Sequence, residues 1–380
     1  MAVCARCRSI IQDSARFCPQ CGVPLSQQPK LQSRVESGAQ LDIGWGTVVI
    51  GDAIGEGGMG IVYRGWLYYD PKGARAGRAA HPVAIKALHP LLRGRDRARQ
   101  LFLREATALA RLSHPNIVEF YALTQHLEQL ALVMELVEGQ ALNRVIDQQT
   151  HSARPGGIPC MPFMRAWHYF SQLLGALAAI HELQIIHRDV KPSNVLVRTD
   201  GVVKLTDFGI ARVPADEVKN TGGMAPGTGA YMAPEQVLGR ELDSRTDLYS
   251  AAIVLFEMLT GITPFDSPDR NEVMIRTAQV EEPPAAMTRL VRQAPPVLDV
   301  LMARALAKDP MHRFGTAIEL GEAFRAGLSI PDGAGWRAQQ RLAQHAKAIS
   351  QIGLAAQSAP EMSAAQAEQL RTDVMQAYRA

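Results

Sequence analysis

Cysteine is scarce in this sequence, and most of it lies at one end. Four of the five cysteines fall within the first 21 residues, and Cys160 stands alone. No stretch reaches the roughly 18 apolar residues that span a bilayer, and the first residues lack a hydrophobic signal region. These absences argue against a disulfide-rich secreted domain and lead us to expect a soluble, cytoplasmic protein.

An excess of charge of either sign is also missing. The chain carries 40 Lys and Arg residues against 37 Asp and Glu residues, a net charge of +3 over 380 residues. Neither nucleic acid nor an anionic membrane is therefore expected as the main partner. The composition, 47% hydrophobic and 20% charged, is that of a globular protein with a substantial core.

The apolar periodicity changes character along the chain. Strand-length runs come first, at residues 48–50, 61–63, 83–85, 117–123 and 130–136, with one helical pattern among them at 100–112. After Gly139 helical patterns dominate, at residues 164–183, 247–261, 297–307 and 317–328. Polar or Gly- and Pro-rich stretches predict a linker at 26–46 and loops at 70–81 and 148–162. An α+β fold is expected, with a small strand-rich lobe before a large helical lobe.

The N-terminal cysteines form two C-x2-C pairs separated by ten residues: Cys4, Cys7, Cys18 and Cys21. Each pair can place two thiolates on a tight turn, and four thiolates suit tetrahedral zinc. We predict a structural Zn²⁺ in residues 1–25, a unit that resembles a short zinc ribbon and is too small to fold around a core without the metal. Free thiols or disulfides are the alternative, and Cys160 is expected to be an inert thiol.

The most informative stretch is His187-Arg188-Asp189-Val190-Lys191-Pro192-Ser193-Asn194. Asp207-Phe208-Gly209 begins thirteen residues after Asn194, beyond what the pattern predicts to be a short hairpin. Transfer of a γ-phosphoryl group to a hydroxyl uses this set of side chains: one carboxylate orients the hydroxyl, while a second carboxylate and an amide oxygen hold magnesium. The stretch therefore indicates phosphoryl transfer.

A glycine-rich run, Gly55 to Val62, fits G-x-G-x-x-G-x-V. Glycines allow a backbone to approach phosphates without intervening side chains. Alone, the pattern is equally typical of a tight hairpin. A dinucleotide-binding fingerprint would need a helix to begin at its last glycine, whereas Ile61-Val62-Tyr63 predicts a strand.

Lys86 ends an apolar strand run, Val83-Ala84-Ile85. Burying its ammonium group without partners would be costly, and phosphate oxygens together with a carboxylate would supply them. Glu105, on the helical pattern that follows, is the expected ion-pair partner; a solvated helix charge is the alternative. Residues 132–139 predict a buried strand and a turn.

With these motifs in their order, and with Ala233-Pro234-Glu235 after them, the chain resembles the protein Ser/Thr kinases, specifically the eukaryotic-like kinases of bacteria, from about residue 47 to 328. The resemblance implies a bilobal protein-kinase fold. Its N-lobe, 47–139, would be an antiparallel β-sheet with one helix, and its C-lobe, 140–328, would be helical. An Ala- and Gln-rich tail, 329–380, would form helices or stay partly disordered.

The resemblance also implies roles for single residues. Asp189 would orient the substrate hydroxyl, Lys191 would stabilise the transferring group, and Lys86, locked by Glu105, would hold the α- and β-phosphates of ATP. Mg²⁺ (or Mn²⁺) would be bound by Asn194 and Asp207. The residues implied to contact the nucleotide are Ile54, Gly55, Glu56, Gly57, Gly58, Met59, Gly60, Val62, Ala84, Lys86, Met134, Glu135, Val137 and Leu196.

Further positions are implied to shape the active state. An internal hydrophobic spine would consist of Leu109, Phe120, His187 and Phe208. Glu235 would pair with Arg313, and Asp247 would hold the catalytic-loop backbone. Thr228 would bond near the catalytic acid, which together with Lys191 favours serine or threonine as the acceptor.

Thr221 resembles the autophosphorylation site of bacterial relatives. A phosphate there would add nearly two negative charges, and Arg188 would receive it; a neutral hydroxyl in a flexible loop is the alternative. The leading hypothesis is an active kinase acting on Ser/Thr of protein substrates. A non-catalytic pseudokinase scaffold, organised through the zinc ribbon and tail, is the alternative, and either region is a candidate partner or dimer contact. A kinase for small molecules is less favoured, because the Thr228 and A-P-E segments in this family shape a peptide platform.

Overall fold

The structure is a computed structural model that describes residues 2–3, 10–11, 37–57, 59–69, 80–92, 94–126, 129–152, 161–208, 228–267, 269–291 and 293–331. The expectations for the five cysteines, Gly58, Thr221 and most of the tail lie outside the described residues. The chain divides into two compact units. The first comprises Met1–Gln100 and Leu123–Val133, and the second comprises Leu101–Ala122 and Met134–Ala380.

The strands of the described residues form three sheets. A two-stranded sheet joins β1 to β2, a six-stranded sheet has the order β3-β4-β5-β6-β8-β7, and a three-stranded sheet has the order β11-β10-β9. The strands are β1 (Ala2–Val3), β2 (Ile10–Ile11), β3 (Gln40–Asp42), β4 (Thr47–Glu56), β5 (Gly60–Tyr68), β6 (His81–Leu88), β7 (Phe120–His126), β8 (Gln129–Glu135), β9 (Gly139–Ala141), β10 (Val195–Arg198) and β11 (Val203–Leu205).

The α-helices are concentrated in the second unit. They are α1 (Asp96–Leu109), α2 (Leu142–Ser152), α3 (Phe163–Glu182), α4 (Pro234–Val237), α5 (Ser244–Thr260), α6 (Glu272–Glu281), α7 (Met287–Leu290), α8 (Val297–Ala305) and α9 (Ala317–Gly327). In the part of the chain that the structure describes, no helix is long and apolar enough to cross a membrane.

Alternation of side chains explains the six-stranded sheet. In β5, Ile61, Tyr63 and Leu67 are buried while Arg64 and Trp66 are exposed, as the period of two of a half-buried strand requires. Strands β3 to β6 are antiparallel neighbours. The antiparallel N-lobe sheet of a kinase fold is thus present.

Helix α5 forms the centre of the second unit. Thirteen of its 17 residues are buried, which is expected of a helix surrounded by other elements rather than lying on a surface. The Asp243 side chain accepts a hydrogen bond from the Arg245 backbone N–H, and Gly261 ends the helix with a left-handed φ of 80°. These caps satisfy backbone groups at both ends and fix where the buried stretch begins.

Several expected boundaries differ from the structure. The first helix begins at Asp96 rather than residue 100, and Ile117 forms only an isolated bridge, so that β7 begins at Phe120. Within the expected linker, β3 pairs with β4 and extends the sheet. The expected loop at 148–162 contains the end of α2. The buried Leu142, Val145 and Ile146 have helical spacing, a signal that the Pro- and Gly-rich stretch after them obscured.

Glu257, on α5, is a half-buried carboxyl group. It accepts a hydrogen bond of 2.7 Å from the Tyr231 hydroxyl. The pKa of Glu257 is raised to about 7, chiefly by burial and also by the nearby Asp147 and Asp266, while the Tyr231 bond acts in the opposite direction. The folded chain therefore holds a proton here that an ordinary glutamate would have released.

We expect this group to make stability depend on pH. Between pH 4.5, the ordinary pKa of the group, and pH 7, its pKa in the folded chain, the folded state binds more protons than the unfolded state, so the free energy of unfolding falls as the pH rises. Denaturant unfolding should show the wild type losing about 2 kcal/mol more than Glu257→Gln between pH 5 and 8. Glu241→Gln, at an exposed carboxylate, should follow the wild type. Equal pH dependence in all three proteins would contradict the assignment.

Candidate active site

The backbone of the predicted catalytic loop is held by one buried carboxylate. Asp247 Oδ2 accepts hydrogen bonds of 2.8 Å from His187 N–H and from His181 Nε2, and its Oδ1 accepts one of 2.8 Å from Arg188 N–H. Burial alone would raise the pKa of Asp247, but the bonds from His181 and the His187 backbone outweigh it and hold the pKa below its usual range. These bonds stabilise Arg188 at a φ of 66°, an unfavourable region for a non-glycine residue.

The side chains of the loop converge on Asp189. Lys191 Nζ lies 3.1 Å from Asp189 Oδ2. The Asn194 amide Nδ2 donates to Asp189 Oδ2 at 3.1 Å and to the Asp189 carbonyl at 2.9 Å. The structure therefore brings three predicted site residues together, with the carboxylate orientation fixed by two donors.

His187 links this loop to the segment before Asp207. The Asp189 N–H donates to His187 Nδ1 at 3.3 Å, and His187 Nε2 lies 3.1 Å from the Thr206 carbonyl. Burial lowers the pKa of His187, so the ring is neutral, with Nδ1 as acceptor and Nε2–H as donor. The ring also packs on Phe208 with a centroid separation of 4.8 Å, as the predicted spine requires.

The two predicted magnesium ligands, Asn194 and Asp207, lie on backbone segments that are hydrogen-bonded to each other. Thr206 N–H donates to the Asn194 carbonyl at 3.0 Å, which ties the end of β11 to the catalytic loop. Asp207 has a φ of 54°, a strained conformation for aspartate. Both donor hydrogens of the Asn194 amide are directed at Asp189, which leaves the amide oxygen as its ligand atom.

The A-P-E segment is anchored by the expected ion pair. Arg313 donates to both oxygens of Glu235, at 2.8 and 2.7 Å, and both side chains are buried. Gln236, the next residue, donates from Nε2 to the Arg188 carbonyl at 2.9 Å. This contact places the segment beside the catalytic loop. Thr228 lies in a short 3₁₀ helix, Thr228–Tyr231, and its side chain is outside the described part.

The end of β8 is fixed by a second ion pair. Lys204 Nζ lies 2.7 Å from Glu135 Oε2, which also accepts the Glu119 N–H at 3.2 Å. Met134 is buried, while Val137 and Leu196 are half-buried. The Glu135 carboxylate is thus engaged, and the Glu135 N–H donates to the Glu119 carbonyl at 2.8 Å.

In the first unit, several residues predicted to contact the nucleotide share one face of the sheet. Val62 pairs with Lys86 across β5 and β6, and Gly55 pairs with Val62 across β4 and β5; directly paired residues point to the same face. Ala84 lies two residues before Lys86 and points the same way. Glu105 is buried on α1, in the second unit.

The glycines of the glycine-rich run, near the end of β4, in the turn after it and at the start of β5, differ in what packing requires of them. A Cβ at Gly60 would collide with the Ala87 carbonyl, so packing demands glycine there. Among the described residues, a Cβ at Gly57 would meet no atom within 4 Å, and one at Gly55 would meet only the Val62 Cβ at 4.0 Å. Internal packing therefore does not explain these two glycines.

Sequence reasoning missed several polar residues that hold the site. His181 bonds to Asp247, Gln236 bonds to the Arg188 carbonyl, and Lys204 bonds to Glu135. Each lies far along the chain from its partner or outside any motif. A signal existed only for Lys204, a charged residue in an otherwise apolar strand run.

Comparison with known proteins agrees with this geometry. A family model described as "Protein kinase domain" matches residues 48–324. The serine/threonine-protein kinase PksC of Streptomyces coelicolor is 42% identical over 273 residues, which are 70% of this chain and 46% of that protein. The serine/threonine-protein kinase PknL of Mycobacterium tuberculosis is 34% identical over 282 residues, 73% of this chain and 66% of that protein. The chain thus spans less than two thirds of these relatives' length.

A solved structure shows the same fold. The crystal structure of the PknI kinase domain of Mycobacterium tuberculosis matches with a TM-score of 0.58 and 26% sequence identity, over 78% of this chain and 100% of that one. The family match covers most of the chain, and the curated relatives are serine/threonine-protein kinases. The chain therefore belongs to the protein kinase domain family.

Proposed function

We propose that the chain is an active protein kinase that transfers the γ-phosphoryl group of ATP to Ser and Thr hydroxyls of proteins. The observation that carries this proposal is the arrangement around Asp189, whose carboxylate lies 3.1 Å from both Lys191 Nζ and Asn194 Nδ2. A fixed carboxylate can accept the proton of an incoming hydroxyl. The Lys191 ammonium is placed to offset the negative charge that develops on the transferring group.

The first unit would supply the nucleotide-binding face. Lys86 is buried on the face that carries Val62 and Ala84, so its ammonium would meet the phosphates while the two apolar side chains contact adenine. The free space at Gly55 and Gly57 would let the backbone approach phosphate oxygens. Glu105 would form an ion pair with Lys86, and the Glu135 and Val137 backbones would bind adenine.

Magnesium would be held by the Asn194 amide oxygen and the Asp207 carboxylate. When bound, the ion would neutralise phosphate charge. Among the described residues no three His, Cys, Asp or Glu side chains gather into a metal cluster. Mg²⁺ does not require one, because it is typically bound through one or two protein ligands, with waters and substrate phosphates completing its shell.

Replacement of the proposed catalytic carboxylate should slow transfer strongly with little effect on folding. In Asp189→Asn the acceptor for the hydroxyl proton is lost, so we expect kcat to fall about 10²- to 10⁴-fold. Radiolabelled ATP with a generic basic protein measures the change. Asp200→Asn is the matched control, because Asp200 is exposed and contacts only its own turn. Absence of transfer by the wild type with Mg²⁺ or Mn²⁺ would instead favour a pseudokinase scaffold.

Autophosphorylation at Thr221 belongs to the same proposal. Arg188, immediately before the catalytic acid, would receive the phosphate as a charge-assisted pair. We expect phosphosite mapping of the active enzyme to find phosphate at Thr221, and mapping of Asp189→Asn to find none. An active wild type without phosphate at this position would overturn the assignment.

The zinc ribbon is proposed from the spacing of its cysteines. Cys4, Cys7, Cys18 and Cys21 would bind structural Zn²⁺ as four thiolates, which leaves no open position for catalysis. The ribbon or the tail would then serve as a partner or dimer contact. The cytoplasmic location, like the zinc ribbon, is a prediction made from sequence alone.

Metal analysis tests the ribbon independently of activity. Protein purified without added zinc should contain about one zinc ion per chain by mass spectrometry. The double variant Cys4→Ser/Cys7→Ser should contain almost none, while Cys160→Ser should keep the full amount. Equal zinc content in the double variant and the wild type would refute the site.

A further inference from the structure

The short 3₁₀ helix Thr228–Tyr231 is held by side chains from two helices of the second unit. Gln279, on α6, donates from Nε2 to the Ala230 carbonyl at 2.5 Å. Ser250, on α5, donates from Oγ to the Tyr231 carbonyl at 2.8 Å. Two consecutive peptide groups are therefore fixed by separate donors, which leaves this stretch of backbone little freedom.

Gln279 is itself fixed on both sides. It is fully buried, and its Oε1 accepts a hydrogen bond of 2.6 Å from the Tyr249 hydroxyl. Burial raises the pKa of Tyr249 above its usual range, so this hydroxyl keeps its proton. A rotated amide would set Oε1 against the Ala230 carbonyl, two acceptors facing each other. The orientation of Gln279 is thus determined by its neighbours.

The backbone of Gln279 is anchored as well. Lys308 Nζ donates to the Gln279 carbonyl at 2.7 Å and to the Ala278 carbonyl at 3.3 Å. Both carbonyls lie in the last turn of α6, where the Ala278 carbonyl also accepts the Glu282 N–H at 3.0 Å and the later carbonyls of a helix lack partners within it. Lys308 also sits 4.2 Å above the ring of Phe265. The end of α6 therefore cannot shift without breaking these contacts.

The segment that Gln279 holds lies next to the catalytic acid. It runs from Thr228 into Gln236, whose Nε2 donates to the Arg188 carbonyl. Gln236 Oε1 also accepts the Ala233 N–H at 3.0 Å. Arg188 directly precedes Asp189, so this hydrogen bond joins the segment to the backbone beside the proposed catalytic acid.

We propose that Gln279 is a positioning residue for the protein substrate. It sets the position of the Ala230 peptide group and, through the segment 228–236, the surface on which the acceptor polypeptide lies beside Asp189. This inference rests on the proposed kinase activity. It assigns Gln279 to acceptor binding alone, because no hydrogen bond of Gln279 in the described part of the chain involves a residue proposed to bind ATP.

Steady-state kinetics of Gln279→Glu test the assignment. The variant keeps an acceptor for Tyr249 and, at a pH where its carboxyl group is ionised, replaces the donor to the Ala230 carbonyl with an oxygen. We expect kcat/KM for a generic basic protein to fall about tenfold, the ratio that corresponds to loss of one buried hydrogen bond. The KM for ATP and the slow hydrolysis of ATP without acceptor should stay within about twofold of the wild type.

Two further variants complete the test. Gln148→Glu, at an exposed position on α2, is the matched control and should match the wild type. Tyr249→Phe removes only the hydroxyl that orients Gln279 and should lower kcat/KM for the protein in the same direction, by a smaller factor. If a thermal unfolding control shows that Gln279→Glu does not fold, the kinetics of Tyr249→Phe test the role of Gln279 instead.

The outcomes are distinct. Equal losses for ATP and protein, or no loss in either variant of an active enzyme, would overturn the role of Gln279 and leave the kinase proposal intact. A wild type that transfers no phosphate to protein would overturn the kinase proposal, and this inference with it.

Discussion

The site depends first on the carboxylate of Asp247. A loop cannot hold an energetically unfavourable backbone conformation by itself, and this loop contains Arg188 with a positive φ. Both oxygens of Asp247 accept hydrogen bonds from loop N–H groups, and Asp247 lies in the first turn of α5, most of which is buried. The position of the Asp189 backbone is therefore fixed through α5, the helix of the second unit with the largest share of buried residues among those described.

The same helix carries most of the support for the neighbouring segments. Arg313, which binds Glu235, also lies 4.7 Å from the ring centroid of Tyr249 on α5. Ser250 and Glu257, also on α5, bond to Tyr231. Charged groups buried this deeply stabilise a structure only when each is paired, so loss of one partner should disturb more than its own contact. The contacts that stabilise the fold around α5 therefore also position the residues proposed for catalysis.

The residues that converge on Asp189 could be predicted from sequence, because motifs such as this one are short and carry their polar groups on nearby residues. The polar residues that hold these motifs in place could not be predicted. Gln236 and Gln279 are ordinary polar residues whose partners lie far along the chain, and nothing in their local pattern distinguishes them from solvent-exposed glutamines. For the same reason the fold was predictable in its lobes and long helices but not in α2, where local Pro and Gly residues outweighed the helical spacing.

His187 forms a hydrogen bond through each of its two ring nitrogens. Its ring accepts from the Asp189 N–H with one nitrogen and faces the Thr206 carbonyl with the other, so it connects two motifs only while it carries a single ring proton. A second proton would place a donor against the Asp189 N–H and a charge in a site closed to water. Acid that protonates this ring would therefore break the hydrogen bond from the Asp189 N–H, and with it the side-chain link between the Asp189 loop and the segment that leads to Asp207.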